Sequence, residues 1–170
     1  RMTAEVLSCV AAAVQPGVAT GELDELAKKM IADMRARPSF LGYRGYPAAM
    51  CISVNDEVIH GMPGQRVIMP GDVVSLDVGV FYKGFHGDSA TTVMVGVTDP
   101  DVIRLVEATR RALSAALDAV RPGARLSDVS HAIETTAKAS GCSVVREFVG
   151  HGIGRELPED PQVPNFGAAG

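Results

Sequence analysis

Apolar positions recur at helical spacing from about Thr3 to Val14, and the run stops at Gln15-Pro16-Gly17, which predicts a first helix. A second helix opens at Thr20-Gly21-Glu22-Leu23, with Leu23, Leu26, Ala27, Met30 and Met34 on one stripe as far as the break at Pro38. The period then changes. Met50 to Ile59, Val73 to Phe81 and Phe85 to Val97 are rich in Val and Ile with partial alternation, and they read as strands. The same order begins again 106 residues later: Val102 to Val120 is another apolar-periodic helix ending at Arg121-Pro122-Gly123, and Leu126-Ser127-Asp128-Val129 opens a further one. Pro16 falls on Pro122, Gly17 on Gly123, Glu22 on Asp128 and Leu23 on Val129, all in one register. Ser143 to Val149 follows as a strand running into glycines. The chain is thus expected to be α+β, with residues 1–98 as a first half-repeat and residues 99–170 as the start of a second. If the offset persists, the strand matching Val73 to Phe81 falls at roughly residues 179 to 187, so the chain is expected to be a fragment with an incomplete second half.

Composition narrows the class. A chain of 170 residues, 46% hydrophobic and 21% charged, is long enough for one core and too apolar to be disordered. Its net charge of −4, without a basic block, speaks against nucleic acid or an anionic membrane as the main partner and for a small or peptidic substrate. Cys9, Cys51 and Cys142 are odd in number and show no CxxC spacing, which fits a reducing compartment. No apolar run reaches membrane-spanning length and the N-terminus has no signal pattern, so the cytoplasm is the expected location.

The candidate chemistry lies in the hairpin from Gly71 to Asp88. With the turn centred between Tyr82 and Lys83, Asp77 falls directly opposite Asp88 on one face of the sheet. Two like charges so close require compensation: one carboxylate held protonated, or a cation between them. A register differing by one would instead make both surface aspartates. His151, between Gly150 and Gly152, is a candidate third metal ligand, because flanking glycines let a backbone approach a ligand and imidazole suits transition metals. His60 ends an apolar strand at a turn, a position suited to a substrate-contacting or acid-base group. His86 shares the face of Asp88 and reads as packing or support, and His131 as a surface residue.

Taken in order, Leu41-Gly42-Tyr43-Arg44-Gly45-Tyr46-Pro47, Cys51 to Asn55, His60-Gly61, Pro70 to Asp77, Gly84 to Asp88 and Gly150 to Arg155 with Pro161 to Pro164 resemble the type I methionine aminopeptidases. These share the pita-bread fold, two pseudo-twofold helix-helix-strands halves, with proline-specific aminopeptidases and creatinase. The resemblance implies a cytoplasmic, monomeric metallo-exopeptidase that removes the N-terminal methionine of nascent polypeptides, with the ribosome as a candidate partner and no nucleic-acid or membrane binding. It implies two divalent ions (Co, Mn, Fe or Zn), held by Asp77 on one side, His151 on the other and Asp88 between them. It makes His60 the catalytic, substrate-contacting histidine, and it puts Phe40, Tyr43, Tyr46, Cys51 and Leu157 in the methionine pocket. The family adds two glutamate ligands from its second half, which neither Glu156 nor Glu159 matches, and a second histidine where this chain has Pro158. A non-catalytic binding module of the same fold is one alternative, and a prolidase-like exopeptidase is the other. Retention of Asp77, Asp88 and His151 weighs against the first, and the Gly150-to-Arg155 context with the short N-terminus weighs against the second.

Overall fold

Helices α1 (Met2–Ala13) and α2 (Thr20–Asp33) form where the apolar stripes fall, and a computed structural model describes them together with the whole of residues 1–170. The chain divides into two units: Arg1–Val97 with Ile153–Leu157, and Thr98–Gly152 with Pro158–Gly170.

In unit one, α1 stops because Pro16 cannot continue it, and Gly17 turns the chain with φ of +93°. Helix α2 starts without a side-chain cap on Ala19. Instead the Glu22 carboxylate reaches back to accept the Ala19 N–H at 3.0 Å, one half of a capping box. Buried Asp24 then ties α2 to the sheet, accepting from the N–H groups of Ala49 (2.9 Å) and Met50 (3.0 Å) while paired with Lys28 at 2.8 Å. The sheet has four antiparallel strands, β1 (Arg37–Pro38), β2 (Met50–Val54), β3 (Val73–Tyr82) and β4 (Phe85–Met94). Strand β3 is central, with β1 and β2 along one edge and β4 along the other.

Alternation assigns the faces. Val74, Leu76, Val78 and Val80 of β3, with Met50, Ile52 and Val54 of β2, are buried and join Val6, Leu7 and Val10 of α1 and Leu23, Ala27 and Ile31 of α2 in one aliphatic core. The odd-numbered residues of β2 and β3 and the even-numbered residues of β4 lie on the opposite face: Cys51, Ser53, Ser75, Asp77, Gly79, Phe81, His86, Asp88, Ala90 and Thr92. That face is the polar one.

Unit two repeats the helical half. Helix α3 (Pro100–Ala119) is capped by Asp99, whose side chain accepts the Asp101 N–H at 2.8 Å. Helix α4 (Leu126–Ala139) begins 106 residues after α2, with Asp128 accepting the Arg125 N–H at 2.9 Å as Glu22 does for Ala19. The α3–α4 pair buries small residues, Ala108, Ala112, Ala116 and Ala137. Glu134, buried on α4, pairs with Lys138 (2.8 Å) and Arg146 (2.9 Å) and accepts the Gly167 N–H at 3.0 Å. Strands β5 (Gly150–Gly152) and β6 (Glu159–Val163) pair antiparallel.

Three expectations change. The hairpin turns at Lys83 and Gly84, both with positive φ (50° and 85°), so Tyr82 pairs with Phe85. This moves the register two residues from that expected: Asp77 faces Ala90, and Asp88 faces Gly79. A shift of two preserves the face, and the carboxylates become diagonal neighbours. Strand β2 ends at Val54 rather than Ile59, because Asn55 turns left-handed (φ 59°) and its side chain takes the Val73 N–H at 2.9 Å. Ser143 to Val149 is not a strand. The carbonyls of Val145 and Phe148 receive the Asn165 side-chain amide (3.3 and 3.4 Å) in place of a ladder, and pairing begins only at Gly150. No helix is long and apolar enough to cross a membrane.

Candidate active site

The polar face of unit one bears Asp77, Asp88 and Cys51, with Phe40 over Gly79 and Tyr46 beside the Cys51 thiol. Asp77 and Asp88 hydrogen-bond to one another there, and the Asp77 carboxyl is held well above the usual carboxylate range by burial first, then by the charge of Asp88 and by that hydrogen bond. Cys51 pairs directly with Asp77, and burial pushes its thiol up to about 11, with the nearby carboxylates of Asp77 and Asp88 adding to the shift and the Tyr46 hydrogen bond opposing it. The half-buried Tyr46 donates its hydroxyl toward the carbonyls of Gly61 (3.0 Å) and Met50 (3.2 Å) and also contacts the Cys51 thiol. Burial is the main reason its phenol resists ionisation.

Phe40 and Ser39 cover Gly79, the residue paired with Asp88. A Cβ on Gly79 would lie 2.7 Å from the Phe40 ring and from the Ser39 Cβ, so glycine is what lets the ring settle beside the carboxylates. Tyr43 is exposed, with Arg44 over its ring at 5.4 Å. Leu157 is half-buried at the end of the Ile153–Leu157 segment, which docks through Gly154 O on the His86 N–H (2.7 Å) and Arg155 over Phe85 (4.9 Å). His60 is exposed and adopts φ of +58°. His151 belongs to unit two, exposed on β5, with its Nδ1 at 2.9 Å from Gly152 O.

Asp77 and Asp88 stand as a pair: nowhere in the chain do three or more His, Cys, Asp or Glu side chains form a group arranged to hold a metal ion. The pair itself suits a cation, since two carboxylates that share a hydrogen bond on a partly buried face repel when both ionise, and a divalent ion with oxygen preference relieves that repulsion.

Sequence reasoning missed a second cluster on the same face. The His86 Nδ1 lies 2.9 Å from Ser39 Oγ, its ring packs on Phe81 at 4.6 Å, and Arg37 stacks over Phe81 at 4.8 Å. With Pro38 and Leu41 these residues line a cavity of about 480 Å³ that contains none of the predicted site residues. Face parity places His86 there, as expected, whereas Ser39 comes to it only through the β1–β3 pairing.

Comparison with known proteins decides the family. Residues 1–170, the whole chain, match metallopeptidase family M24. The chain belongs to that family. It is 47% identical over 154 residues to methionine aminopeptidase 1 of Bacillus subtilis, covering 91% of this chain and 62% of that protein. It is 45% identical over 176 residues to methionine aminopeptidase 1 of Mycobacterium tuberculosis, covering 99% of this chain and 66% of that protein. Among solved structures, methionine aminopeptidase from Thermotoga maritima superposes with a TM-score of 0.96 at 45% identity, covering 99% of this chain and 68% of that one. Prolidase from Pyrococcus furiosus, at 19% identity and a TM-score of 0.81 over 98% of this chain and 48% of that one, shares the fold. The expected pita-bread architecture is thus established, and this M24 chain spans about two thirds of the length of its relatives. Membership in a metallopeptidase family also establishes a divalent metal as the cofactor class.

Proposed function

We propose that the protein carrying this chain is a metal-dependent methionine aminopeptidase, and that the polar sheet face of unit one is where its substrate reacts. The observation that carries this reading is the hydrogen-bonded Asp77–Asp88 pair on a face that also bears Cys51 and is overlain by Phe40 and Tyr46, in a chain up to 47% identical to methionine aminopeptidases. Asp77 and Asp88 hold the cation in this proposal, and His151 joins them on the strength of its sequence motif alone. Two divalent ions are expected, each of Co, Mn, Fe or Zn type. When bound, they supply Lewis acidity to the scissile carbonyl and lower the pKa of the attacking water.

The remaining work falls to the chain itself. Phe40, Tyr46 and Cys51, with Tyr43 and Leu157, offer polarizable and aromatic walls to an unbranched thioether. His60, exposed, presents an imidazole that can donate to the carbonyl oxygen as it gains charge. Pro158 can neither donate nor titrate, so His60 carries this role without help from that position. The N-terminal methionine of nascent polypeptides, met at the ribosome by a cytoplasmic monomer, is the proposed substrate. Three free cysteines suit that compartment.

The test is release of methionine from Met-Ala-type peptides by the metal-stripped protein after addition of Co(II), Mn(II), Fe(II) or Zn(II). Wild type is expected to turn over, and Asp88→Asn to lose about 10³-fold or more in kcat/KM, since one carboxylate of the pair no longer offers its charge. No release by wild type with any of the four metals overturns the proposal.

A further inference from the structure

His60 stands on a left-handed backbone, which costs a non-glycine residue free energy and persists only where the surroundings hold it. Its ring is exposed. What holds the segment is the next residue. The Gly61 N–H donates to Ser53 Oγ at 3.0 Å, and the Gly61 carbonyl accepts from the Ile52 N–H at 2.9 Å and from the Tyr46 hydroxyl at 3.0 Å. A Cβ on Gly61 would collide with the Ile52 carbonyl oxygen and lie 2.8 Å from Ser53 Cα, so the close approach requires glycine. From the other side, Glu57 accepts the Val54 N–H and Arg66, each at 2.9 Å, and closes the loop.

Ser53 is the residue that neither the core nor the candidate metal pair explains. It is only 5% exposed, lies on the polar face of β2 opposite Ser75, and is two residues along from Cys51, the partner of Asp77. Its hydroxyl is spent on one contact, the Gly61 N–H. A strand position two residues away is about 6.6 Å distant, so this hydrogen bond fixes the peptide bearing His60 to the same rigid strand that flanks Asp77.

We propose that Ser53 is a positioning residue for His60, pinning the His60–Gly61 peptide to β2 so that the imidazole is presented to the polar face at a fixed distance from Asp77. This rests on the substrate-contacting role given to His60 above. Without the pin, the left-handed residue relaxes and the ring moves, and displacement of a reacting group by about 1 Å costs up to about 10²-fold in rate.

The experiment compares Ser53→Ala, Ser53→Thr, His60→Ala and the Ser53→Ala/His60→Ala double variant in Met-Ala peptide hydrolysis, with Gly61 amide exchange by NMR alongside. Ser53→Ala is expected to lower kcat by about 10- to 100-fold with KM within about twofold, and Ser53→Thr to recover most of it. In the His60→Ala background, Ser53→Ala is expected to change nothing further, because its effect passes through the imidazole. Gly61 amide exchange should quicken by about fivefold to tenfold in Ser53→Ala, as loss of one intramolecular hydrogen bond predicts.

An equal loss of kcat with and without His60 overturns the proposal, as does unchanged Gly61 exchange in Ser53→Ala. Wild-type kcat in His60→Ala overturns the role of His60 and the pin together. Absence of methionine release from wild type with every metal instead overturns the peptidase reading, and the exchange measurement then decides on the pin alone.

Discussion

Position 7 in α1 and position 113 in α3 are both leucine, 106 residues apart and at equivalent places in the repeat, yet Leu7 is 9% exposed and Leu113 is 59% exposed. The difference comes from what each helix rests on. Helix α1 lies on β3 and β4, so Leu7 enters an aliphatic core with Val6 and Val10. Helix α3 packs on α4 through alanines, and Leu105, Leu113 and Leu117 face outward. One helical pattern therefore reads differently in the two units of this 170-residue chain: α1 has strands to receive its large side chains, whereas within these residues α3 has α4 alone, which takes its alanines. Local sequence makes the helix, and the partner decides which face counts as inside.

The sharpest way to break this comparison is to truncate both leucines in the 170-residue chain. Leu7→Ala is expected to cost about 2 to 4 kcal/mol of stability in denaturant melts of unit one, and Leu113→Ala to stay within about 0.5 kcal/mol. Equal losses would show that α3 is covered as α1 is.

A smaller effect probes what the two units share. Glu22→Ala and Asp128→Ala each remove the carboxylate that accepts an N-cap N–H, at 3.0 and 2.9 Å. Glu22→Ala is expected to cost about 0.5 to 1.5 kcal/mol. Asp128→Ala should speed amide exchange in the first turn of α4 and also free Gly170, whose N–H Asp128 accepts at 3.0 Å. Loss at one helix only would end the equivalence of the two starts.

The last contrast is one of sign. Asp77, in unit one, has its carboxyl raised by burial and by Asp88, so its contribution to the stability of the metal-free fold is complete below the unfolded value of about 3.9 and is lost as pH rises through the raised folded value. Glu134, in unit two, is lowered by its hydrogen bond with Lys138 first and then by the Gly167 N–H. Its contribution is present above the unfolded value of about 4.3 and is lost as pH falls through the lowered folded value. Acidification from pH 7 is thus expected to strengthen protection of the Val78 and Ser89 amides in the metal-free protein and, at its acid end, to release Gly167. Amide exchange corrected for its intrinsic pH dependence reads both, and a common direction for the two would sink the contrast.

The sequence by itself determined whatever depends on neighbours within a turn or two. The helix pairs, their Pro-Gly stops, the reach-back of Glu22 and Asp128, and the alternation of β3 follow from spacing of 3.6 and 2 and from hydrogen bonds closed within four residues. Parity alone was enough to put Asp77 and Asp88 on one face. Only the tertiary structure decided which residues stand opposite. Placing the turn at Lys83-Gly84 moved the register by two, and Ser143 to Val149 gives its carbonyls to Asn165 where a ladder was expected. It also brought Ser39 to His86 and Ser53 to Gly61. Those meetings depend on strand pairing between segments up to 47 residues apart. A pairing of that range is selected by the summed burial and hydrogen bonding of the whole sheet, which no short window of sequence contains.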